Sequence, residues 1–328
     1  MSKKILITTG PLVRDMLANG SNLKPALDAM RADGIEFVTF DKGEHDYTLD
    51  DLKKVAPGIQ AAIIGSEPWT EEKFKICKDI KCLSRFGVGY DAVDLAKAKE
   101  YGIFVTNTRI PELSYSVAEC ALTLALMVGR TFMPSAYELK NGVWTQRPGR
   151  QLHGKTVGIV GFGAIGQAFA GLLQSFGVTI LASDPFMNKD AAAKYKAEVV
   201  DMDTLLAKSD IVSLSAPNTP ENRHMFNAAA FAKMKNGSIF INTARGAMVD
   251  EKALYDALTN GKLLGAGVDV WEKEPTPSDN PLLKLQNVMP LPHMAAETVE
   301  SAAAVAMCTA NQMIDTLAGR TPINVLNP

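Results

Sequence analysis

A glycine-rich loop at residues 161–166 is the feature that most constrains how this chain can fold. The loop, Gly161-Phe-Gly-Ala-Ile-Gly166, follows a short apolar run, Thr156–Val160, and precedes an apolar helical pattern, Ala164–Phe176. In a strand–loop–helix unit, the first glycine allows the tight turn, the second lets the backbone approach a pyrophosphate, and the third lets the helix pack on the strand. The amino terminus of the helix then faces the phosphates. The pattern predicts a dinucleotide-binding unit, and a glycine turn without a ligand is the alternative.

An acidic residue stands where such a unit contacts a ribose. Asp184 follows the predicted strand Val178–Ser183 and lies 18 residues beyond Gly166. A carboxylate there accepts both ribose hydroxyls and repels a 2′-phosphate, which favours NAD over NADP. Lys189 lies nearby in the sequence and could weaken that preference. Enzymes that use S-adenosylmethionine also combine a glycine-rich turn with such an acid, so the loop alone does not establish redox chemistry.

The rest of the chain alternates short apolar runs with helical periods, which predicts an α/β protein with parallel sheets. Its 328 residues correspond to about two domains. Strands are predicted at Ile5–Thr8, Glu36–Phe40, Ala61–Gly65, Lys81–Phe86, Thr156–Val160, Val178–Ser183, Ile211–Ser215, Ser238–Asn242 and Leu264–Val270. Helices are predicted at Leu12–Ala32, Ser114–Arg130, Ala164–Phe176, Asp203–Lys208, Ala228–Met234, Glu251–Thr259 and Glu297–Ala318, and a loop at Asn141–Gly154. Since the helix Ser114–Arg130 has little polar surface, we expect it to be buried between layers or at a subunit interface.

Composition excludes several classes of function. Apolar residues make up 47% of the chain and charged residues 21%, as in ordinary globular proteins. Lysine and arginine number 34 against 36 acidic residues, with no basic block, so nucleic acid is not the expected partner. The four cysteines form no CxxC pair, so we expect neither a disulfide framework nor a metal site. No apolar run reaches about 18 residues, and the first apolar run is too short for a signal peptide, so we expect a cytoplasmic protein without a membrane segment.

An arginine follows one of the predicted strands of the second half of the chain. Arg245 lies in Asn242-Thr-Ala-Arg-Gly246, just after the strand Ser238–Asn242. Ligands of open parallel sheets bind at the carboxyl ends of strands, and a guanidinium there can hold a carboxylate through two parallel hydrogen bonds. The position predicts a carboxylate-binding residue, with a surface salt bridge as the alternative.

A histidine is the second candidate catalytic residue, and two glutamates are its candidate partners. His293 has apolar neighbours and follows Pro292, a setting in which a lone histidine is more often structural than catalytic. Glu274 and Glu272 both follow the predicted strand that ends at Val270. A carboxylate beside a histidine orients its ring and stabilises the protonated form, which makes the ring a better acid. Spacing alone does not decide between the two glutamates.

Together these motifs resemble the D-isomer-specific 2-hydroxyacid dehydrogenase family. The resemblance rests on the glycine loop, Asp184, Asn242-Thr-Ala-Arg-Gly, Gly267-Val-Asp-Val, Glu274-Pro and Pro292-His293, and in the first half on Arg85-Phe-Gly-Val-Gly-Tyr-Asp and Asn107. It covers nearly the whole chain and is specific for the family but not for the substrate. It implies hydride transfer between a nicotinamide cofactor and C2 of a 2-hydroxy or 2-keto acid. The chain departs from the family after the histidine. Family members often carry a glycine together with a small residue there, whereas this chain has Met294-Ala-Ala296, which leaves the shape of the nicotinamide pocket open.

The resemblance also implies a role for individual residues. Arg245, Glu274 and His293 take the catalytic positions, which favours Glu274 over Glu272. Cofactor contacts are implied at Gly161, Gly163, Ala164, Ile165, Gly166, Asp184, Ala216, Pro217, Thr243, Ala244, Arg245, Asp269 and His293. Among them, Ala164 and Ile165 would lie at the pyrophosphate and Asp269 at the nicotinamide amide. Substrate contacts are implied at Val88, Gly89 and Arg245, with the backbone amides of Val88 and Gly89 binding the carboxylate.

For architecture, the resemblance implies two Rossmann-like, doubly wound parallel-sheet domains. Residues 1–106 with 295–328 would form a flavodoxin-like substrate domain, and residues 107–294 an NAD-binding domain. It also implies a homodimer that pairs through the helix Ser114–Arg130. Formate dehydrogenase-like enzymes, which carry glutamine where this chain has Glu274, and NAD-sensing corepressors of this fold are the alternatives. Arg85 is either a phosphate ligand or a surface charge, so glyoxylate, hydroxypyruvate, phosphohydroxypyruvate and bulkier keto acids all stay open as substrates.

Overall fold

The fold consists of two parallel α/β units. A computed structural model describes residues 3–9, 22–40 and 47–328. The chain divides into one compact unit of Met1–Leu113 with Thr298–Pro328, hereafter unit 1, and a second of Ser114–Glu297, hereafter unit 2. Which unit binds which ligand stays a prediction at this point.

Unit 1 contains a five-stranded parallel sheet. Its strands are β1 (Lys3–Ile7), β2 (Ile35–Thr39), β3 (Ile59–Ile64), β4 (Cys82–Arg85) and β5 (Phe104–Thr106), in the order β2-β1-β3-β4-β5. This is the flavodoxin-like order, which reverses direction between β1 and β3. The helices in the described part of the unit are Lys24–Ala32, Leu49–Val55, Glu71–Ile76, Leu95–Glu100 and Val299–Leu317.

Alternation along β1 shows how these residues produce two packed layers. Ile5 and Ile7 point to one face of the sheet, where Ala310 and Met313 of the carboxyl-terminal helix pack, and Leu6 points to the other. Successive side chains of a strand point to opposite faces, so a continuous apolar run is required when helices cover both. The carboxyl-terminal helix is therefore a core element of unit 1.

Unit 2 contains a seven-stranded parallel sheet. Its strands are β6 (Thr156–Val160), β7 (Thr179–Ser183), β8 (Ala197–Val199), β9 (Ile211–Leu214), β10 (Ser238–Asn242), β11 (Leu263–Val268) and β12 (Val288–Pro290), in the order β12-β11-β10-β9-β6-β7-β8. The order reverses between β6 and β9, as in dinucleotide-binding folds. The helices of the unit are Phe132–Lys140, Ala164–Leu173, Lys189–Lys194, Met202–Lys208, Ala228–Lys233 and Glu251–Thr259. The predicted α/β class with two doubly wound parallel sheets is confirmed.

One further helix, Pro111–Gly129, connects the two units along the chain. Its residues Ala118, Ala121 and Leu124 belong to the same apolar cluster as Val157 and Ile159 of β6. By length and composition it is also the one helix among residues 3–9, 22–40 and 47–328 that could cross a membrane, and half of that stretch is buried in the fold. Core helices of soluble proteins commonly pass the same test, so this is weak grounds for a membrane span.

Most predicted elements are present, with shifts at their ends. The strands Thr156–Val160 and Ser238–Asn242 and the helix Glu251–Thr259 begin and end where predicted. The helix predicted to reach Phe176 ends at Leu173 and closes with a 3₁₀ turn before Gly177, whose φ of 63° cannot continue a helix. Of the predicted helix Leu12–Ala32, the part before Asn22 lies outside the described residues, and Lys24–Ala32 is helical. The short strands β5, β8 and β12, of three residues each, were missed.

Candidate active site

The glycine loop lies at the point where the sheet order of unit 2 reverses. Gly161 has a φ of 89°, and a Cβ built there would lie 2.5 Å from the amide nitrogen of Ala216, which follows β9. A Cβ at Gly166 would overlap the carbonyl oxygen of Gly161. A Cβ at Gly163, by contrast, would meet no atom within 4 Å. The first and third glycines are thus required by packing, whereas the second leaves open space at the amino terminus of the helix Ala164–Leu173, where a ligand phosphate can approach.

Asp184 ties this loop to the end of β7. Its Oδ2 accepts a hydrogen bond of 2.7 Å from the amide of Phe162, and its Oδ1 accepts one of 2.7 Å from the amide of Phe186. Each carboxylate oxygen can accept a second hydrogen bond, so the group can still bind ribose hydroxyls. Phe186 is 93% exposed beside it.

Two buried hydroxyls at the ends of neighbouring strands are without protein partners. Within the described part of the chain, neither Ser215 Oγ after β9 nor Thr243 Oγ1 after β10 has a hydrogen-bond partner. Buried polar groups are normally paired, so orphaned ones at a sheet edge suit a polar ligand. Pro217 is exposed and Ala216 half-buried on the same edge. The glycine loop, Asp184 and these hydroxyls fit a dinucleotide.

Arg245 is positioned by a turn that Asn242 organises. The Asn242 side chain accepts a hydrogen bond of 3.0 Å from the Ala244 amide and donates one of 3.1 Å to the Arg245 carbonyl. The half-buried Arg245 donates from Nη1 to the Ala244 carbonyl at 2.7 Å. Directly after it, Gly246 packs so closely on the backbone of Trp271 that a Cβ would overlap it. The glycine after Arg245 is therefore required by contact with the segment that carries the glutamates.

The structure brings His293 and Glu274 together. His293 Nδ1 lies 2.7 Å from Glu274 Oε2, and the other oxygen, Oε1, accepts a hydrogen bond of 2.9 Å from the Trp271 amide. Burial by itself would raise the pKa of Glu274, but the hydrogen bonds from His293 and Trp271 and the charges of His293 and Arg245 outweigh it and lower that pKa. Glu274 is therefore ionised at neutral pH and can stabilise a protonated imidazole.

The other glutamate, Glu272, contacts a different histidine. Its Oε1 is hydrogen-bonded to Nε2 of His224, and its backbone amide donates to Glu251 Oε1 at 2.8 Å. Spacing left the two glutamates equivalent, and only Glu274 reaches His293. The sequence reasoning missed the His224–Glu272 pair, which joins residues 48 positions apart.

Asp269 anchors the segment that carries His293. Its carboxylate accepts hydrogen bonds from the amides of Met294 at 2.7 Å and Ala295 at 3.1 Å, and its carbonyl accepts one from the His293 amide at 2.7 Å. His293 adopts a φ of 54°, a left-handed backbone conformation that these bonds hold in place. Burial raises the pKa of the Asp269 carboxyl, and the two amide hydrogen bonds and the charge of His293 oppose that rise. The implied contact of Asp269 with a nicotinamide stays a prediction.

Unit 1 holds the two residues implied in substrate binding. Val88 and Gly89 follow β4 in a half-buried loop. The Asn107 side chain donates a hydrogen bond of 2.8 Å to the Val88 carbonyl, and the Gly87 amide donates one of 2.8 Å to Thr108 Oγ1. Arg85 donates to the Phe86 carbonyl, so its guanidinium is folded back onto its own loop.

Comparison with known proteins supports this interpretation. Residues 122–295, more than half of the chain, match the model for the D-isomer specific 2-hydroxyacid dehydrogenase, NAD binding domain. A hydroxypyruvate reductase of Thermotoga maritima is 41% identical over 259 residues, which cover 77% of this chain and 83% of that protein. A D-3-phosphoglycerate dehydrogenase of Archaeoglobus fulgidus is 37% identical over 305 residues, but the match spans 92% of this chain and only 57% of that relative.

The fold is also found among solved structures. The D-lactate dehydrogenase of Aquifex aeolicus, determined with NAD and lactic acid, superposes with a TM-score of 0.84 at 26% identity, covering 99% of each chain. The family model places a nicotinamide-binding domain on the part of the chain that carries the glycine loop. This chain belongs to the D-isomer specific 2-hydroxyacid dehydrogenase family.

Proposed function

We propose that this protein is an NAD-dependent dehydrogenase that interconverts a 2-keto acid and the corresponding D-2-hydroxy acid. The observation that carries the proposal is the 2.7 Å contact between His293 Nδ1 and Glu274 Oε2. The pair lies on the sheet that also carries the glycine loop and Arg245. A dinucleotide site, a carboxylate-binding arginine and a histidine paired with a carboxylate are the groups that this reaction requires.

In the reduction, Arg245 binds the substrate carboxylate and polarises the adjacent carbonyl group. Because Glu274 holds Nδ1 of His293, Nε2 is the nitrogen that donates a proton to the developing alkoxide. Glu274 stabilises the imidazolium before the transfer, and the ring takes the proton back in the oxidation. Bound NAD(H) supplies or accepts the hydride at C4 of its nicotinamide. The amides of Val88 and Gly89 are proposed to bind the substrate carboxylate as well.

The cofactor contacts follow the edge of the sheet in unit 2. We place the pyrophosphate at Ala164 and Ile165, on the open side of Gly163, and the adenine ribose at Asp184. The segments Ala216–Pro217 and Thr243–Arg245 would line the rest of the dinucleotide, with Asp269 at the nicotinamide amide. The carboxylate of Asp184 supports NAD over NADP, because a 2′-phosphate would add negative charge beside it.

The test is reduction of a panel of 2-keto acids of increasing size, with NADH and NADPH in parallel and with His293→Ala as the variant. We expect turnover with NADH and a loss of about 10²–10⁴-fold in kcat for the variant, which removes the proton donor. NADH binding, measured by fluorescence, should persist in the variant. Turnover of no keto acid would contradict the proposal, and so would a variant with near-normal kcat.

We also propose a homodimer located in the cytoplasm. The helix Phe132–Lys140 and the segment after it expose several large apolar side chains, with Tyr137 at 66%, Leu139 at 56% and Trp144 at 81% exposure. Large apolar side chains left exposed on one stretch of the surface commonly mark protein interfaces. The four cysteines are unpaired, as in proteins of a reducing compartment. Sedimentation of the wild type and of Tyr137→Ser/Trp144→Ser tests the dimer, because only the double variant should be monomeric.

A further inference from the structure

A buried carboxylate lies at the carboxyl edge of the sheet in unit 1. Glu67 follows β3 by three residues and is only 3% exposed. Its Oε1 accepts hydrogen bonds from the hydroxyl of Thr8 and from Nε1 of Trp69, the latter at 3.2 Å. Within residues 3–9, 22–40 and 47–328, neither its Oε2 nor the buried Thr9 Oγ1 has a hydrogen-bond partner. Glu67 therefore has one carboxylate oxygen that is held by two donors and a second, buried oxygen that is without a partner.

This carboxylate lies where an open parallel sheet binds its ligand. Thr8 directly follows β1, and β1 and β3 are the neighbouring strands between which the order of the sheet reverses. Ligands of such sheets bind outside the carboxyl ends of the strands at this reversal. The hydrogen bond between Thr8 and Glu67 spans that point. The unpartnered oxygen of Glu67 is therefore at the ligand-binding edge of unit 1.

The segment that carries Glu67 is hydrogen-bonded to the segment that carries the proposed substrate loop. The amide of Phe86 donates to the carbonyl of Ile64 at 2.9 Å, and the amide of Trp69 donates to the carbonyl of Ala92 at 2.9 Å. The segment that contains Glu67 and the segment that contains Val88 are therefore joined at both ends by backbone hydrogen bonds. A substrate whose carboxylate is bound by the amides of Val88 and Gly89 would have its side chain in the neighbourhood of Glu67.

Two cations near this edge are already engaged by protein groups. Lys73 Nζ donates to the hydroxyl of Tyr47 at 2.6 Å and lies 5.2 Å from the ring centre of Trp69. Burial lowers the pKa of Lys73, and the charge of Glu67 opposes that effect. Arg85 contacts the Phe86 carbonyl of its own loop. Among the described residues, the carboxylate of Glu67 is the charged group at this edge that has a buried atom without a hydrogen-bond partner.

We infer that Glu67 determines the substrate class: it favours 2-keto acids whose side chain is uncharged and donates a hydrogen bond, such as a hydroxyl, and excludes those that carry a phosphate. This inference rests on the proposed function. A carboxylate accepts hydrogen bonds and so pairs with a hydroxyl, whereas its negative charge repels a phosphate, which carries nearly two negative charges at neutral pH. A site whose buried polar atom is left unpaired discriminates strongly between such substrates.

The experiment compares kcat/KM for hydroxypyruvate and for its phosphate ester, with NADH, in the wild type and in Glu67→Gln. Glutamine keeps the shape and an acceptor for Thr8 and Trp69 but removes the charge. We expect the wild type to prefer hydroxypyruvate and Glu67→Gln to lower that preference by about tenfold or more. Glu67→Asp, which keeps the charge, should keep the preference. Glu71→Gln, which removes an exposed charge four residues away, is the matched control and should behave as the wild type.

A second readout uses binding without turnover. Calorimetric titration of the NADH-loaded protein with D-glycerate and with its 3-phosphate ester should show tighter binding of D-glycerate, and a smaller difference in Glu67→Gln. An unchanged preference in Glu67→Gln would overturn the inference, and so would a wild type that prefers the phosphate ester, whether or not the variant folds. In both cases turnover of any keto acid would leave the proposed function standing, whereas a wild type that reduces none would refute both.

Discussion

Replacing Glu274 by glutamine isolates the charge of the carboxylate that contacts the proposed proton donor. Glutamine keeps an oxygen for the Trp271 amide, so the segment should hold its shape. A charge-assisted hydrogen bond contributes about 1.5–3 kcal/mol. The side chains of His293 and Glu274 are 42% and 36% exposed, so solvent screening reduces this to about 1–2 kcal/mol. The expected decrease in kcat for keto acid reduction is therefore about 5–30-fold.

The dependence on pH gives a sharper test of the same variant. The pKa of Glu274 is lowered in the folded protein, so the carboxylate is ionised at neutral pH and becomes protonated only when the pH falls through that lowered value. The ratio of wild-type to Glu274→Gln activity should consequently be largest near neutral pH and should approach one in acid.

The assay is the decrease of NADH absorbance over a range of pH, with NADH binding measured separately. Glu272→Gln is the matched control. It removes the same charge two residues from Glu274, but from a carboxylate that is paired with His224, so kcat should stay close to that of the wild type. A pH-independent ratio of one for Glu274→Gln would refute the role of the pair. A loss beyond about 10³-fold would contradict the magnitude worked out above, because it would exceed what a solvent-screened charge-assisted hydrogen bond can contribute.

Three further predictions concern unit 2. Gly163→Ala should leave the melting temperature unchanged, since its Cβ meets no atom within 4 Å, yet weaken NADH binding by about tenfold or more in a fluorescence titration. Gly166→Ala should instead lower the free energy of unfolding by about 1–3 kcal/mol, because its Cβ would overlap a backbone oxygen. Equal melting temperatures of the two variants would contradict the assigned packing. Asp184→Asn should lower the ratio of kcat/KM for NADH to that for NADPH by about tenfold, and an unchanged ratio would exclude the carboxylate as the discriminating group. Asp210→Ala should lower the free energy of unfolding by about 1 kcal/mol at neutral pH, because it removes hydrogen bonds from Lys235 at 2.5 Å and from the Thr156 amide at 2.9 Å. Burial alone would raise the pKa of Asp210, but those bonds lower it. The destabilisation measured in urea should therefore begin to shrink below about pH 4, near the pKa of an unfolded aspartate, and be lost as the pH falls through the lowered folded pKa; a difference that stays constant in acid would contradict the ionic origin.

Local patterns predicted the parts of the fold that depend on a single segment. The glycine loop could be recognised because strand, turn and helix follow one another within about 20 residues, and each imposes its own spacing of apolar residues. The strands β5, β8 and β12 were missed because three residues are too few to show an alternation. The sheet orders are likewise absent from any local pattern, since they depend on which strands pair across the fold.

Contacts between distant segments could not be predicted for the same reason. The hydrogen bond between Thr8 and Glu67 joins residues 59 positions apart, and nothing in the spacing of either residue marks it. The only signal in the sequence was the residue type. A glutamate, followed by proline and tryptophan, stands just after an apolar run, and a charged side chain is seldom buried in such a place. The apolar run that predicted β3 ended before Glu67 and could not indicate the orientation of its side chain.

The choice between Glu272 and Glu274 shows how backbone contacts decide what a side chain does. The Trp271 amide holds one oxygen of Glu274, which leaves the other for His293, whereas the amide of Glu272 is bonded to Glu251 and its carboxylate reaches His224. On the opposite side, Asp269 binds the amides that follow His293 and thereby fixes a backbone conformation that a histidine rarely adopts. The ring is therefore oriented twice, by the Asp269 carboxylate, which binds the two backbone amides that follow His293, and by the Glu274 carboxylate, which binds the ring nitrogen. The sequence shows only which carboxylates lie within a few residues of one another. It cannot show which carboxylate contacts the ring and which holds the backbone, because these contacts arise where the ends of β10, β11 and β12 meet at one edge of the sheet.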